Sequence, residues 1–136
     1  MGRVVLVVGA SRGIGLELVR QLVAKGDFVL AACRNVEKAG PVLNDLLKDG
    51  ASGSLVSLDV ADEKSIAEAA QAVEKTGKKI DLLIINAGVL PDSFEKIATA
   101  KKEHMLYAYE INVVGPLLIT QKFLPLLVSI FLWHLF

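Results

Sequence analysis

The chain has 136 residues, 53% hydrophobic and 22% charged, which is enough apolar content for one domain with a sizeable core and too much for a disordered segment. Its 15 basic and 15 acidic side chains cancel, removing any bulk electrostatic reason to expect nucleic acid, an anionic membrane or a polyanionic substrate, and leaving a small molecule as the default partner. Cys33 is the only cysteine, so no internal disulfide can form, in keeping with a reducing compartment such as the cytoplasm. His104 and His134 stand apart with no further ligand at metal-site spacing, and no metal site is expected.

After Met1-Gly2-Arg3, the run Val4 to Val8 is too short for a signal-peptide core and passes directly into Gly9, as a doubly buried parallel strand does. From Ile14 to Lys25, the apolar residues Ile14, Leu18, Val19, Leu22 and Val23 recur at helical steps, and Gly26 supplies a left-handed stop. Phe28 to Ala32 reads as the second strand. Asn35 caps a second helix reaching about Lys48, with Pro41 expected to confine its regular part to the second half.

Ser54 to Leu58 is the expected third strand, Asp62 caps an alanine-rich helix through about Lys75, and Asp81 to Ile85 is the fourth strand. Pro91 to about Lys102 is polar and irregular. A long apolar helix then runs from about His104 past Asn112 toward Leu126. Strand and helix alternate throughout, with connections too long for hairpins. That pattern predicts an α/β fold: a doubly wound, Rossmann-like parallel sheet of about four strands flanked by helices, occupying residues 1–126, with an apolar tail over 127–136.

The first strand opens into Gly9-Ala10-Ser11-Arg12-Gly13-Ile14-Gly15. Glycines there allow a tight turn and let backbone amides at a helix N-terminus meet a pyrophosphate without obstruction by a Cβ. A glycine turn can also be mere punctuation. Its place between a buried strand and an amphipathic helix favours dinucleotide binding. The second strand ends in Cys33-Arg34, where a carboxylate would suit the ribose hydroxyls of NAD and an arginine suits the additional phosphate of NADP. Arg12 can reach the same phosphate, so NADP(H) is the expected cofactor; the alternative is two solvated surface arginines. Cys33, nearby, reads as a small buried packing residue.

The spacing of glycine, three residues and Gly-Ile-Gly resembles the fingerprint of the classical short-chain dehydrogenase/reductase family. Three further matches follow in order. Asp59, in Leu58-Asp59-Val60, stands where the family places an acidic residue against adenine; Asn86-Ala87-Gly88 ends the fourth strand like its Asn-Ala-Gly motif; Asn112 sits like the family's helix asparagine. Taken singly, Asp59 could be a helix cap and Asn86-Ala87-Gly88 a plain turn. Ile85 departs from the family pattern, which usually has a further asparagine there. The stretch Glu110-Ile111-Asn112-Val113-Val114-Gly115-Pro116-Leu117-Leu118 resembles the carbonyl-reductase branch that includes the sniffer and C-factor proteins.

The resemblance implies hydride transfer with a carbonyl or alcohol substrate. It assigns cofactor contacts to Gly9, Ser11, Arg12, Gly13, Ile14, Gly15, Arg34, Asp59, Val60, Asn86, Ala87 and Gly88, and a supporting role in proton relay to Asn112. The family's catalytic serine and Tyr-x-x-x-Lys have no counterpart, since Tyr107 and Tyr109 are followed at that spacing by Ile111 and Val113, and Ser129 falls too early. The chain is thus expected to bind cofactor and to be catalytically incomplete, or to serve as a non-catalytic module that interferes with dimers of fuller relatives. The resemblance also implies homo- or hetero-oligomerisation through the apolar helix from about residue 104. Phe123 to Phe136 is shorter than the ~20 residues that span a bilayer, so a membrane anchor is not expected.

Overall fold

The computed structural model describes residues 2–90 and 96–128. Four parallel strands form one sheet: β1 (Val4–Val8), β2 (Phe28–Cys33), β3 (Gly53–Ser57) and β4 (Leu82–Ile85), in the order β3-β2-β1-β4. Val4 lies beside Phe28, and Val8 lies between Ala32 and Ile85. The helices are α1 (Gly13–Ala24), α2 (Val36–Leu46), α3 (Glu63–Lys75), α4 (Lys102–Tyr109) and α5 (Gly115–Phe123).

Alternation along β1 and β2 divides the core into two. Val5, Val7, Val29, Ala31 and Cys33 face Val19 and Leu22 of α1 and Ala39 and Leu43 of α2. Leu6, Val8, Leu30 and Ala32 face Ile66, Ala69 and Val73 of α3 and Ile119 and Phe123 of α5. Right-handed crossovers explain the split: the chain winds outward from β1 to β3 with its helices on one face, then returns across β1 to β4 with its helices on the other. The reversal opens a crevice at the carboxyl ends of β1 and β4, the place where open α/β sheets bind ligands. Phe123 is fully buried, contributing about 2–3 kcal/mol and holding α5 to the sheet.

Three expectations about elements need correction. The third strand begins at Gly53 and ends at Ser57, one residue early, because its ladder starts from Val29 opposite Gly53. Pro41 does not confine α2, which runs from Val36 to Leu46; Pro41 is exposed, so the helix loses one internal hydrogen bond where water can replace it. The expected continuous helix over 104–126 is helical but not uniform. A π-helical turn, Glu110–Val114, separates α4 from α5, and a 3₁₀ turn, Leu124–Leu126, follows.

Beyond that turn, Leu127 pairs in parallel with Ile80: the Ile80 N–H donates to the Leu126 carbonyl (2.8 Å) and the Val128 N–H to the Ile80 carbonyl (3.0 Å). The rest of the expected apolar tail, including Ser129, lies outside the described residues.

Candidate functional site

All the strand-end candidates gather along the carboxyl edge of the sheet, because parallel strands bring equivalent ends together. The three glycines of the first turn are required for three different reasons. Gly9 has φ +87°, and a Cβ there would stand 2.7 Å from the Ala87 nitrogen, so the turn after β1 lies directly against the turn after β4. A Cβ on buried Gly15 would overlap the Gly9 carbonyl oxygen and lie 3.0 Å from Asn86 Nδ2, so α1 starts in contact with both turns. Gly13 has φ +55°, and a Cβ there would meet nothing within 4 Å. Its outer side is open ground.

Helix α1 therefore begins beside open space. Its N-cap, Arg12, has extended backbone and makes no side-chain capping bond, and no acidic residue occupies the first turn. The N-terminal amides and the positive end of the helix dipole are left without an anionic side chain, an arrangement suited to a phosphate. Ser11, Arg12 and Ile14 are exposed. Ile14 is 73% exposed, an apolar surface at the mouth of the turn.

Arg34 follows β2 and is also exposed. Among the described residues, the ion pairs involve neither Arg12 nor Arg34, leaving two guanidiniums for an external anion. Cys33 is buried beneath this edge, and burial pushes its thiol pKa up, as a packing residue requires.

Asp59 is held by its own surroundings. Its N–H donates to Ser65 Oγ (2.9 Å), its Oδ1 accepts from the Ala61 N–H (3.0 Å), and its carbonyl accepts from the Asp62 N–H (3.1 Å). Helix α3 is capped separately, by Asp62 accepting from the Lys64 N–H. Val60 packs against α5: a Cβ on Gly115 would overlap Val60 Cγ1 and lie 2.8 Å from the Val60 carbonyl oxygen.

After β4, the Asn86 and Ala87 N–H groups both donate to the Val8 carbonyl (2.9 and 3.1 Å), fixing this turn to the end of β1. Asn112 lies in the π-turn. Its Oδ1 accepts from the Val89 N–H (2.8 Å) and its Nδ2 donates to the Val89 carbonyl (2.7 Å). A Cβ on Gly88 would be 3.3 Å from Asn112 Oδ1. The amide thus satisfies a backbone donor and acceptor at once, and the extra residue of the π-turn is the kind of local irregularity often found at functional positions. Asn112 clamps the helix to the β4 turn.

Val89, Ser65 and Gly115 are site residues that sequence reasoning missed. Val89 participates through its backbone, which leaves no side-chain signal. Ser65 is an ordinary serine in the first turn of a helix. Gly115, a glycine inside an apolar helical run, did carry a signal, that of close packing.

The open ground above Gly13, the uncapped α1 and the two guanidiniums fit a dinucleotide diphosphate bearing an additional phosphate. The short chain dehydrogenase family model matches residues 3–130. An uncharacterized oxidoreductase of Schizosaccharomyces pombe is 38% identical over 127 residues, covering 93% of this chain and 49% of the relative. The chain therefore spans about half the length of that relative. The NADPH-bound carbonyl reductase from chicken fatty liver superposes with a TM-score of 0.83 at 36% identity, over 92% of this chain and 51% of that one. The Sniffer protein of Caenorhabditis elegans gives 0.80 at 37% identity, over 93% and 54%. Fold, motif order and these matches together make this chain a member of the short-chain dehydrogenase family.

Proposed function

We propose that these residues form the NADP(H)-binding part of a cytoplasmic oxidoreductase acting on a carbonyl or alcohol substrate. The observation that carries this reading is the pair Arg12, at the uncapped N-terminus of α1, and Arg34, following β2, both exposed and lacking a carboxylate partner among the described residues. The likeness to an NADPH-bound carbonyl reductase supports the same cofactor. When bound, the nicotinamide supplies or accepts a hydride.

The chain's own residues have the following parts. The Gly13 turn and α1 amides hold the diphosphate. Arg12 and Arg34 hold the additional phosphate through charge-assisted hydrogen bonds. Asp59 and Val60 border the base, and Asn86-Ala87-Gly88 forms the floor beneath the ribose on the nicotinamide side. Asn112 keeps that floor in place through Val89. No Tyr-x-x-x-Lys occurs in the sequence, so the general acid for carbonyl reduction comes from outside these 136 residues.

A second reading, a non-catalytic module that pairs with fuller relatives or with itself, is favoured by Leu106, Tyr109, Val113 and Leu117. These apolar side chains are exposed on successive turns of the α4–α5 helical stretch, a surface that suits a protein partner. Calorimetric titration with NADPH and NADH, with NADPH oxidation followed over a panel of aldehydes and ketones, tests both. Preferential NADPH binding without turnover is expected. Failure to bind either dinucleotide would overturn the cofactor assignment, and turnover by the isolated chain would overturn the assignment of the acid to an outside residue.

A further inference from the structure

Ser65 makes a contact that helix capping does not require. Asp62 already caps α3 by accepting the Lys64 N–H (2.9 Å). The Asp62 N–H, the group that a third-position side chain completes in an ordinary capping box, donates instead to the Asp59 carbonyl. The Ser65 hydroxyl is thereby directed past the cap to the Asp59 N–H, six residues back, at 2.9 Å. With Oδ1 accepting from Ala61, the amide, the carbonyl and one carboxylate oxygen of Asp59 are all held by residues 61–65. Oδ2 has no hydrogen bond among the described residues.

We infer that Ser65 is a positioning residue for base recognition: by anchoring the Asp59 amide to the first turn of α3, it fixes the carboxylate so that Oδ2 accepts a hydrogen bond from the exocyclic amine of a purine. This rests on the reading of this edge as a dinucleotide site. The pinned N–H and carbonyl fix where the Asp59 side chain starts, and the Ala61 N–H bond to Oδ1 selects among its staggered rotamers, which together set where Oδ2 points. Ser65 itself need not touch the ligand. Helix α3 packs against the same core as α5, so the anchor is rigid.

The test compares NADPH with reduced nicotinamide hypoxanthine dinucleotide phosphate, in which the exocyclic amine is replaced by a carbonyl oxygen that repels a carboxylate. The wild-type chain is expected to prefer NADPH about tenfold, the scale of one hydrogen bond to a charged group. In Ser65→Ala the preference falls to about twofold through weaker NADPH binding, and Ser65→Thr, which keeps the hydroxyl, restores it. Should Ser65→Ala fold poorly, Ser65→Cys supplies a weaker acceptor and an intermediate preference.

A purely structural role lowers the unfolding temperature and leaves the ratio of the two affinities unchanged; that result overturns the inference. Wild-type binding of NADPH with no preference for adenine also overturns it, while leaving the dinucleotide reading intact. Binding of neither compound removes both.

Discussion

At the amino end of the sheet, polar groups are matched within the chain. Asp27, only 6% exposed, receives the Arg3 backbone N–H (2.9 Å), Nε (3.3 Å) and a terminal guanidinium nitrogen (2.9 Å), and Asp81 receives the Val4 N–H (2.8 Å). Lys78 stands 4.3 Å over the Phe28 ring, and Lys79 donates to the Pro125 carbonyl (3.2 Å). At the carboxyl end the helix N-terminus is uncapped, and the arginines lack acidic partners among the described residues. Both ends are built from the same strands. One end closes β1 against β2 and β4, and the other leaves donors for something outside the chain, so substitutions at the two ends should separate stability from binding.

Within the carboxyl end, Gly15 and Gly13 draw the same line more sharply. Gly15→Ala forces a Cβ into the Gly9 carbonyl, a backbone atom that cannot move aside cheaply. A loss of about 3 kcal/mol in urea unfolding is expected; a loss below about 0.5 kcal/mol would mean that α1 does not seat on the turn as described. A Cβ at position 13 meets nothing within 4 Å, so the main cost of Gly13→Val to the fold is that of a β-branched residue at positive φ, about 1–2 kcal/mol. Its cost to dinucleotide affinity should be on the order of 100-fold, because the branch fills the ground where the diphosphate approaches. Unchanged affinity would place the phosphates elsewhere.

Arg12→Ala combined with Arg34→Ala should weaken NADPH about thirtyfold and NADH no more than about twofold, since only NADPH carries the phosphate these charges would hold. Equal losses would return both arginines to the role of solvated surface charges. The unfolding midpoint should barely move, as exposed arginines outside ion pairs contribute little to the fold.

The sequence was informative where function and folding place the same demand on a residue type. A glycine between a valine run and an amphipathic helix marks a tight turn at a strand end, and runs such as Val4–Val8 mark strands buried on both faces, so the winding of the sheet and the strand-end candidates could be read directly. It was silent where the partner is backbone. The Asn112 amide could have satisfied many groups, and nothing in Val89 announces that its N–H and carbonyl are the ones. The π-turn is hidden for a related reason: it changes which carbonyl each amide reaches, while the apolar pattern over 104–126 remains that of a helix. Pro41 misled because its cost in a helix depends on exposure, which periodicity did not resolve. Arg3 and Asp27, distant in sequence, become neighbours only once β1 and β2 pair.

Asp27→Asn is the smallest of these perturbations and tests the amino end alone. The hydrogen bond from Arg3 holds the Asp27 carboxyl below the ordinary carboxylate range, against the opposing effect of burial. A lowered folded-state pKa means that the native chain binds fewer protons than the unfolded one. The resulting stabilisation is fully present above the unfolded-state value and disappears as pH falls through the folded-state value. Replacing the carboxylate should therefore cost about 1 kcal/mol at neutral pH. The difference from wild type should stay constant down to about pH 5 and shrink below about pH 4, flattening the acid limb of the stability curve. NADPH affinity should not change. A difference that persists undiminished in acid would show that the amide disrupts packing rather than an ion pair, and a parallel loss of NADPH binding would show that the closed end of the sheet sets the geometry of the open one.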